Sequence, residues 1–292
     1  MGGKSTELRR LLSRDKIIVA PGAYNALSAK LVEQAGFSAI YMTGAGIAAN
    51  LLGVPDIGLT TMNDVLDTAK NIVNVTNIPV ICDTDTGYGN ALNLMRTVRE
   101  FERIGVAAIQ IEDQVAPKKC GHIEGKRLVS KEEMVKKIEA FNYSKESTDF
   151  VLIARTDAIA VHGFDDAIDR ARSYASAGAD VIFIEAPRTI EEMKLIPKLL
   201  EGIPLLVNIV EGGGKTPILP VKDLESMGFR IAIFPISTWV SAVKAIQRVL
   251  KILKEDGSTR KFSEHMVSFQ EMFELVGLSQ FRALEQKFLT LK

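Results

Sequence analysis

Lys118-Lys119-Cys120-Gly121-His122 sets one thiol between two ammonium groups and an imidazole, on a stretch whose glycine and lack of apolar periodicity mark a loop. Positive neighbours lower a thiol's pKa, so Cys120 reads as a group that exchanges a proton near neutral pH, tuned by Lys118, Lys119 and His122. A solvated loop with an incidental cysteine is the plain alternative. Earlier in the chain, Asp83-Thr84-Asp85-Thr86-Gly87-Tyr88-Gly89 places two carboxylates on one side of an extended backbone. Hard oxygen donors of this kind suit Mg²⁺ or Mn²⁺, which takes one or two carboxylates and keeps several waters. An N-cap aspartate and a turn would read the same way. Glu112 ends the apolar run Val106 to Ile111 and would bring a third carboxylate to the pair. Three such charges resist joint ionisation, and a divalent ion is the simplest way to neutralise them.

Anion-binding groups accompany these acids. Thr43-Gly44-Ala45-Gly46 offers closely spaced backbone N–H groups with little side-chain bulk, a cradle for a carboxylate or else a tight turn. Arg155 has a fork that holds a carboxylate bidentately, unless Asp157 or Glu185 takes it in a salt bridge. Glu211-Gly212-Gly213-Gly214-Lys215-Thr216-Pro217 lacks the spacing of a phosphate loop and reads as a flexible active-site loop. His162 and His265 belong to no cluster, and Trp239 reads as core or subunit contact.

The elements that must position these groups are short apolar runs alternating with amphipathic stretches. Strands are predicted at Ile17–Ala20, Ala39–Met42, Val80–Asp83, Ala107–Ile111, Phe150–Ala154, Val181–Glu185, Leu205–Val210 and Ile231–Phe234. Most are continuously apolar, as parallel strands covered on both faces are. Helices are predicted at Ala26–Ala35, Thr61–Val75, Leu92–Ile104, Lys131–Ala140, Phe164–Ala177, Thr189–Leu200 and Val221–Met227. Gly36, Gly105 and Gly178 follow three of them as C-cap glycines. Eight strands with helical crossovers spell a (β/α)8 TIM-type barrel. A doubly wound sheet would need a glycine phosphate loop after its first strand, and Pro21-Gly22-Ala23-Tyr24 is not one. About fifty residues follow the eighth strand, with helical patterns at Ser241–Glu255, Lys261–Leu275 and Ser279–Leu291. The reading is one barrel domain over 1–292 with a helical C-terminal tail from about 240.

In such barrels chemistry sits at the C-terminal strand ends. Those ends carry Tyr41 and Thr43, then Asp83 and Asp85, Glu112 and Asp113, Arg155 and Asp157, Glu185, Asn208 and Glu211, and Pro235 with Ser237. The totals set the class. The chain has 292 residues, 36 cationic and 36 acidic, a balance that points to neither nucleic acid nor an anionic membrane. No apolar run reaches the roughly 20 residues a bilayer requires. The polar, basic first residues do not form a secretory signal. With two cysteines, Cys82 and Cys120, a reduced cytoplasmic protein is expected.

Lys118–His122, Asp83–Gly89, Ile111-Glu112-Asp113-Gln114 and Ala154-Arg155-Thr156-Asp157 together resemble the isocitrate lyase/phosphoenolpyruvate mutase superfamily. Within it the chain is most similar to the methylisocitrate lyase branch, which includes the dimethylmalate lyases and petal-death-type proteins. The likeness runs from about Ala20 to the C-terminus. It implies a barrel whose terminal helix swaps between subunits, usually in a homotetramer, with Mg²⁺ or Mn²⁺. Phosphonate-forming members lack the cysteine loop, which argues against a mutase.

By this resemblance Asp83 and Asp85 hold the metal, with Glu112 acting through water. Thr43, Gly44 and Ala45 bind the pyruvate-like half of a small carboxylate substrate. Arg155, Glu185, Asn208, Val210 and the Cys120-Gly121 backbone complete the pocket. Cys120, its pKa lowered by Lys118, Lys119 and His122, is the general acid of a retro-aldol cleavage. The base stays open between Tyr41 and a hydroxide held by the cation. Where methylisocitrate lyases carry two arginines for a third carboxylate, this chain aligns Val240 and Phe269. Losing a buried charged partner costs roughly 2–5 kcal/mol, so a 2-hydroxy dicarboxylate such as 2,3-dimethylmalate is expected over a tricarboxylate. The alternatives are 2-methylisocitrate cleavage, oxaloacetate hydrolysis or decarboxylation, and a non-catalytic metabolite-binding barrel.

Overall fold

Valine, isoleucine and leucine crowd eight short runs, and in the computed structural model, which describes residues 3–289, each becomes a parallel strand. They are β1 (Ile18–Ala23), β2 (Ile40–Met42), β3 (Val80–Asp83), β4 (Ala108–Glu112), β5 (Val151–Thr156), β6 (Val181–Ile184), β7 (Leu205–Asn208) and β8 (Ile231–Phe234). The sheet runs in sequence order and closes where β1 pairs β8, Ile18 opposite Ile231 and Pro21 opposite Phe234. This is the (β/α)8 barrel the apolar runs predict. β1 continues through Pro21 to Ala23, beyond the expected end at Ala20, because its upper half pairs β2 at Gly22 and Ala23.

Apolar side chains sort into two layers. Outward-facing Ile40, Cys82, Ile109, Leu152 and Ile182 pack with helix residues such as Ile72, Leu94, Val98, Phe101, Ile138 and Phe141. Inward-facing Ile18, Ala20, Ile81, Ala108, Val151, Ile153, Phe183, Leu206 and Ile233 fill the barrel. Burying side chains of this size stabilises by about 1.5–3 kcal/mol each relative to exposure. The helix Lys4–Leu12, not anticipated, closes the lower end: Leu8 and Leu11 join the interior layer, and Arg9 pairs Asp180 at 2.7 Å.

Crossover helices fall within a few residues of expectation, at Ala26–Gln34, Met62–Val75, Ala91–Arg103, Lys131–Ser144, Phe164–Ser176, Ile190–Leu199 and Val221–Met227. Gly36, Gly105 and Gly178 adopt φ of 85°, 86° and 101°, the left-handed turn that lets a helix feed the next strand.

The chain divides into two compact units, the barrel to Trp239 and a second unit from Val240. The helix Ser237–Asp256 leads into this second unit. The expected helix Lys261–Leu275 is instead a 3-10 turn, Arg260–His265, and a separate helix, Phe269–Leu275. The break comes at Ser268, whose hydroxyl caps the Glu271 N–H while Glu271 reaches back to the Ser268 N–H. The last helix is Leu278–Phe288; Leu291, the end expected for it, lies outside the described residues. Among the described residues no helix is long and apolar enough to cross a membrane.

Candidate active site

Alternation along each strand builds the site. Below, inward positions are apolar; at the last inward position they turn polar. Ile81 gives way to Asp83, Ala108 to Gln110 and Glu112, Ile153 to Arg155, and Leu206 to Asn208. Phe183 leads to Glu185 just past β6. These five strands, β3 to β7, therefore deliver polar ends to one mouth of the barrel.

Asp83, Asp85 and Glu112 are all buried there. Asp85 sits at φ 50°, a left-handed conformation that costs a non-glycine residue roughly 1–3 kcal/mol. Its N–H donates to Asp83 Oδ1 at 3.1 Å. Lys118 Nζ bridges Asp85 at 2.7 Å and Asp56 at 2.5 Å. Burial pushes the Asp85 carboxyl up to about 6, against the pull of Lys118. Burial also drives Glu112 well above the usual carboxylate range. Both Glu112 oxygens are buried without a hydrogen-bond partner, and the nearest cation is Arg155 Nη1 at 3.3 Å.

The three acids do not converge. Among the described residues no three His, Cys, Asp or Glu side chains gather as a metal cage. Lys118 draws Asp85 toward Asp56, and Arg155 draws Glu112, so protein cations share the neutralising role expected of a divalent ion alone. The corner nevertheless fits such an ion. Its donors are hard oxygens, two carboxylates suffice for Mg²⁺, and Glu112 has lone pairs to spare. Gly44 leaves the space open: a Cβ there would stand 2.9 Å from Asp83 Oδ2 and 3.5 Å from Asp85 Oδ1. Gly44 and Ala45 begin a short helix, Gly44–Ile47, whose first N–H groups have no intrahelical acceptor. Thr43 caps it, its hydroxyl accepting from Gly46 N–H at 3.3 Å.

Arg155 is committed more deeply than expected. Its Nε and Nη2 donate to Asp157 at 3.0 Å each, and Glu185 lies 3.3 Å from Nη2. The fork predicted to grip a substrate carboxylate grips Asp157. Burial works against the guanidinium charge, but Asp157, Glu112 and Glu185 outweigh it and hold Arg155 firmly cationic. Asn208 Nδ2 donates to Glu185 Oε2 at 3.1 Å.

Tyr41 changes role. Its hydroxyl donates to Gln110 Oε1 at 2.9 Å, and burial, then Asp83, push the phenol well above its ordinary value. A phenolate is therefore disfavoured here, which speaks against Tyr41 as the base.

The cysteine loop lies beside this corner, and its electrostatics reverse expectation. Burial, then the Asp56 and Glu185 charges, raise the Cys120 thiol, while the His122 N–H and Arg155 only partly oppose them. Lys118 is spent on Asp56 and Asp85. Burial keeps His122 neutral by lowering its pKa. The thiol thus holds its proton through neutral pH, the state a proton donor needs. Cys120 N–H donates to the Asp56 carbonyl at 3.0 Å, and Gln114 brackets Lys119 through its carbonyl at 2.8 Å and its N–H at 2.9 Å. Gly121 presses on the acid–base pair behind it, since a Cβ would meet Arg155 Nη2 at 2.5 Å. The glycine loop after β7 is anchored rather than free. Lys215 N–H donates to His122 Nδ1 at 3.0 Å, Lys215 Nζ pairs Glu124, and Glu211 accepts from Ser237. With Nδ1 accepting, the His122 proton sits on Nε2, 3.5 Å from Glu185.

These groups enclose a cavity of about 330 Å³. Tyr41, Thr43, Ala45, Asp83, Cys120, Gly121, His122, Arg155, Glu185, Asn208 and Val210, all singled out from the sequence, line it. Gly44, Asp85, Glu112 and Lys118 stand behind them. Missed were Asp56, which anchors the cysteine loop, and Gln110, which joins Tyr41 to Asp83. A glutamine inside an apolar strand was the signal for the second; Asp56 gave none. Trp239, read as core or subunit contact, lines the cavity with Val54, Pro55, Ile123 and Ile236.

The phosphoenolpyruvate phosphomutase family matches residues 8–254. A 2,3-dimethylmalate lyase of Eubacterium barkeri is 48% identical over 286 residues, 98% of each chain. A 2-methylisocitrate lyase of Aeropyrum pernix is 44% identical, covering 92% of this chain and 86% of its own. The solved structure of an oxaloacetate acetylhydrolase, complexed with 3,3-difluorooxalacetate, superposes with a TM-score of 0.93 at 38% identity, over 98% of this chain and 97% of its own. The chain therefore belongs to the phosphoenolpyruvate mutase/isocitrate lyase superfamily, among its carbon–carbon lyases.

Proposed function

We propose that the chain cleaves a 2-hydroxy dicarboxylate with small alkyl groups, of the 2,3-dimethylmalate type, into pyruvate and a short carboxylate such as propionate. One observation carries this reading: the cavity has a charged wall and an apolar wall but no spare cation. Among the described residues Arg155 is the single permanent cation lining it, and three carboxylates already surround that side chain. A third substrate carboxylate would be buried without a partner, at a cost of several kcal/mol (roughly 2–5). Val54, Pro55, Ile123, Val210, Ile236 and Trp239 suit methyl groups instead. The similarity to the dimethylmalate lyase points the same way.

In this mechanism Asp83 and Asp85 would hold Mg²⁺ or Mn²⁺, with Glu112 acting through water. Bound there, the cation supplies a Lewis acid for the oxygens of the 2-hydroxy acid. The Gly44 and Ala45 N–H groups, with Thr43, hold the carboxylate of the pyruvate half. Arg155 with Asn208, fixed by Asp157 and Glu185, presents positive charge to the half that becomes the enediolate. The hydroxyl proton passes to a hydroxide, the candidate base that remains once Tyr41 is disfavoured, the C2–C3 bond breaks, and its electron pair passes into the enediolate that includes C3. Cys120 then gives its proton to C3, and Gly121 and His122 keep the thiol at the cavity wall. Burial of the cavity's charged wall limits the water that would otherwise compete for the carbanion. A cytoplasmic homotetramer with exchanged C-terminal helices accompanies this reading. What supports a subunit contact is the second unit, whose helices expose Val243, Ile246, Leu250, Phe281 and Phe288.

The test is pyruvate release with Mg²⁺ from 2,3-dimethylmalate and 2-methylisocitrate in parallel, with oxaloacetate as a third arm. Preferred cleavage of dimethylmalate is the expected result. Preference for methylisocitrate would mean that a cation outside this cavity wall serves the third carboxylate. Acetate and oxalate from oxaloacetate, without dimethylmalate cleavage, would replace the lyase reading.

A further inference from the structure

Lys126 lies just beyond the cysteine loop, is 8% exposed, and is not part of the cavity wall. Its ammonium donates to the Gly121 carbonyl at 2.5 Å and to the Ile123 carbonyl at 2.7 Å. Among the described residues no carboxylate forms an ion pair with it. A buried cation without a paired acid is costly; the loop carbonyls compensate directly, and the Asp157 and Glu185 charges help from farther away. The loop closes on itself between these contacts, because Ile123 N–H donates to the Cys120 carbonyl at 2.9 Å. Gly121 in turn rests on Arg155 and Glu185, where a Cβ would stand 2.5 Å and 2.6 Å from their side-chain atoms.

We propose that Lys126 is a positioning residue for the Cys120 thiol: its ammonium ties the Gly121 and Ile123 carbonyls together and seats Cys120 against the Arg155–Glu185 pair. This role rests on the lyase reading for its kinetic consequence, but the tie itself does not. Lysine is suited to it because an ammonium offers three donors from a point and converges on two carbonyls of one turn. Without the tie, the segment from Lys119 to Gly125 keeps its Ile123–Cys120 turn and its outer anchors at Asp56, Gln114 and Lys215.

The experiment compares full-length Lys126→Met and Lys126→Arg proteins with the parent. Two readouts are taken: kcat and KM for the cleaved 2-hydroxy acid, and the rate of Cys120 alkylation by iodoacetamide without substrate. Cys82 is fully buried and serves as the internal control. Lys126→Met should lower kcat by about 10²-fold with KM nearly unchanged, the loss typical of a reacting group displaced by an ångström. Cys120 labelling should quicken about tenfold, the scale of removing a charge-assisted hydrogen bond. Loss of a nearby cation would by itself slow labelling, by raising the thiol pKa, so acceleration reports release of the loop. Lys126→Arg, which still donates to carbonyls, should restore most of both. Unchanged labelling in Lys126→Met overturns the tie. Faster labelling with unchanged kcat overturns the positioning role. If the parent cleaves no 2-hydroxy acid, the lyase reading fails, and the labelling comparison still decides the tie.

Discussion

Two corners of one cavity are held in opposite ways. Asp83, Asp85 and Glu112 stand on or next to strand ends, buried, with Asp85 in a left-handed conformation and its charge divided with Lys118. Cys120 stands on a loop, half-buried; its N–H donates to the Asp56 carbonyl, and hydrogen bonds tie its neighbours in the loop to Gln114, Lys126 and Lys215. The first corner is stiff because moving a strand end breaks the barrel ladder. The second depends on a few hydrogen bonds outside the barrel ladder. A cation site needs fixed oxygens of matching separation, whereas a proton donor must reach a carbon that moves as its bond breaks. The same division explains the opposed electrostatics. Burial raises acids in both corners, which weakens a resting carboxylate but suits a thiol that acts as an acid.

Removing one carboxylate from the stiff corner should have the largest effect. Among the described residues Asp83 forms no ion pair, so Asp83→Asn leaves Lys118 its partners and keeps an acceptor for the Asp85 and Gln110 N–H groups. We expect kcat/KM for pyruvate release to drop by about 10³-fold with saturating Mg²⁺. A drop under tenfold would mean the cation, or the chemistry, lies elsewhere.

Cys120→Ala should follow, with a loss of about 10²–10⁴-fold, the usual contribution of a positioned acid. The pH profile sharpens this. The thiol acts protonated and its pKa is raised, so activity should persist through neutral pH and fall only as pH rises through that raised value. In Cys120→Ser this alkaline limb should disappear from the kcat/KM profile. A limb that survives belongs to another group.

The smallest effect is expected at Tyr41, which sits between the corners. Tyr41→Phe removes one hydrogen bond to Gln110, worth about 1 kcal/mol, so the rate should change by less than about tenfold. A loss of about 10²-fold or more, with the acidic limb of the profile altered, would restore Tyr41 as the base.

Much of this was legible in the chain itself. Eight apolar runs, spaced by amphipathic stretches and by Gly36, Gly105 and Gly178, point to a parallel sheet covered on both faces, and the missing phosphate loop after the first favours the closed barrel over a doubly wound sheet. Strand-end polarity located the mouth and most of its lining, since the side-chain period along a strand is fixed at two. What sequence did not carry was which neighbour each charge meets. Lys118 and Cys120 are separated by one residue, yet the ammonium turns toward Asp56 and Asp85, and the thiol keeps its proton. Arg155 closes on Asp157 two residues away, and Lys126 reaches back to Gly121. Residue type and spacing state what a group is able to do. Its pKa and partners depend on burial and on distances of a few ångströms across the barrel mouth, and only the closed fold sets those.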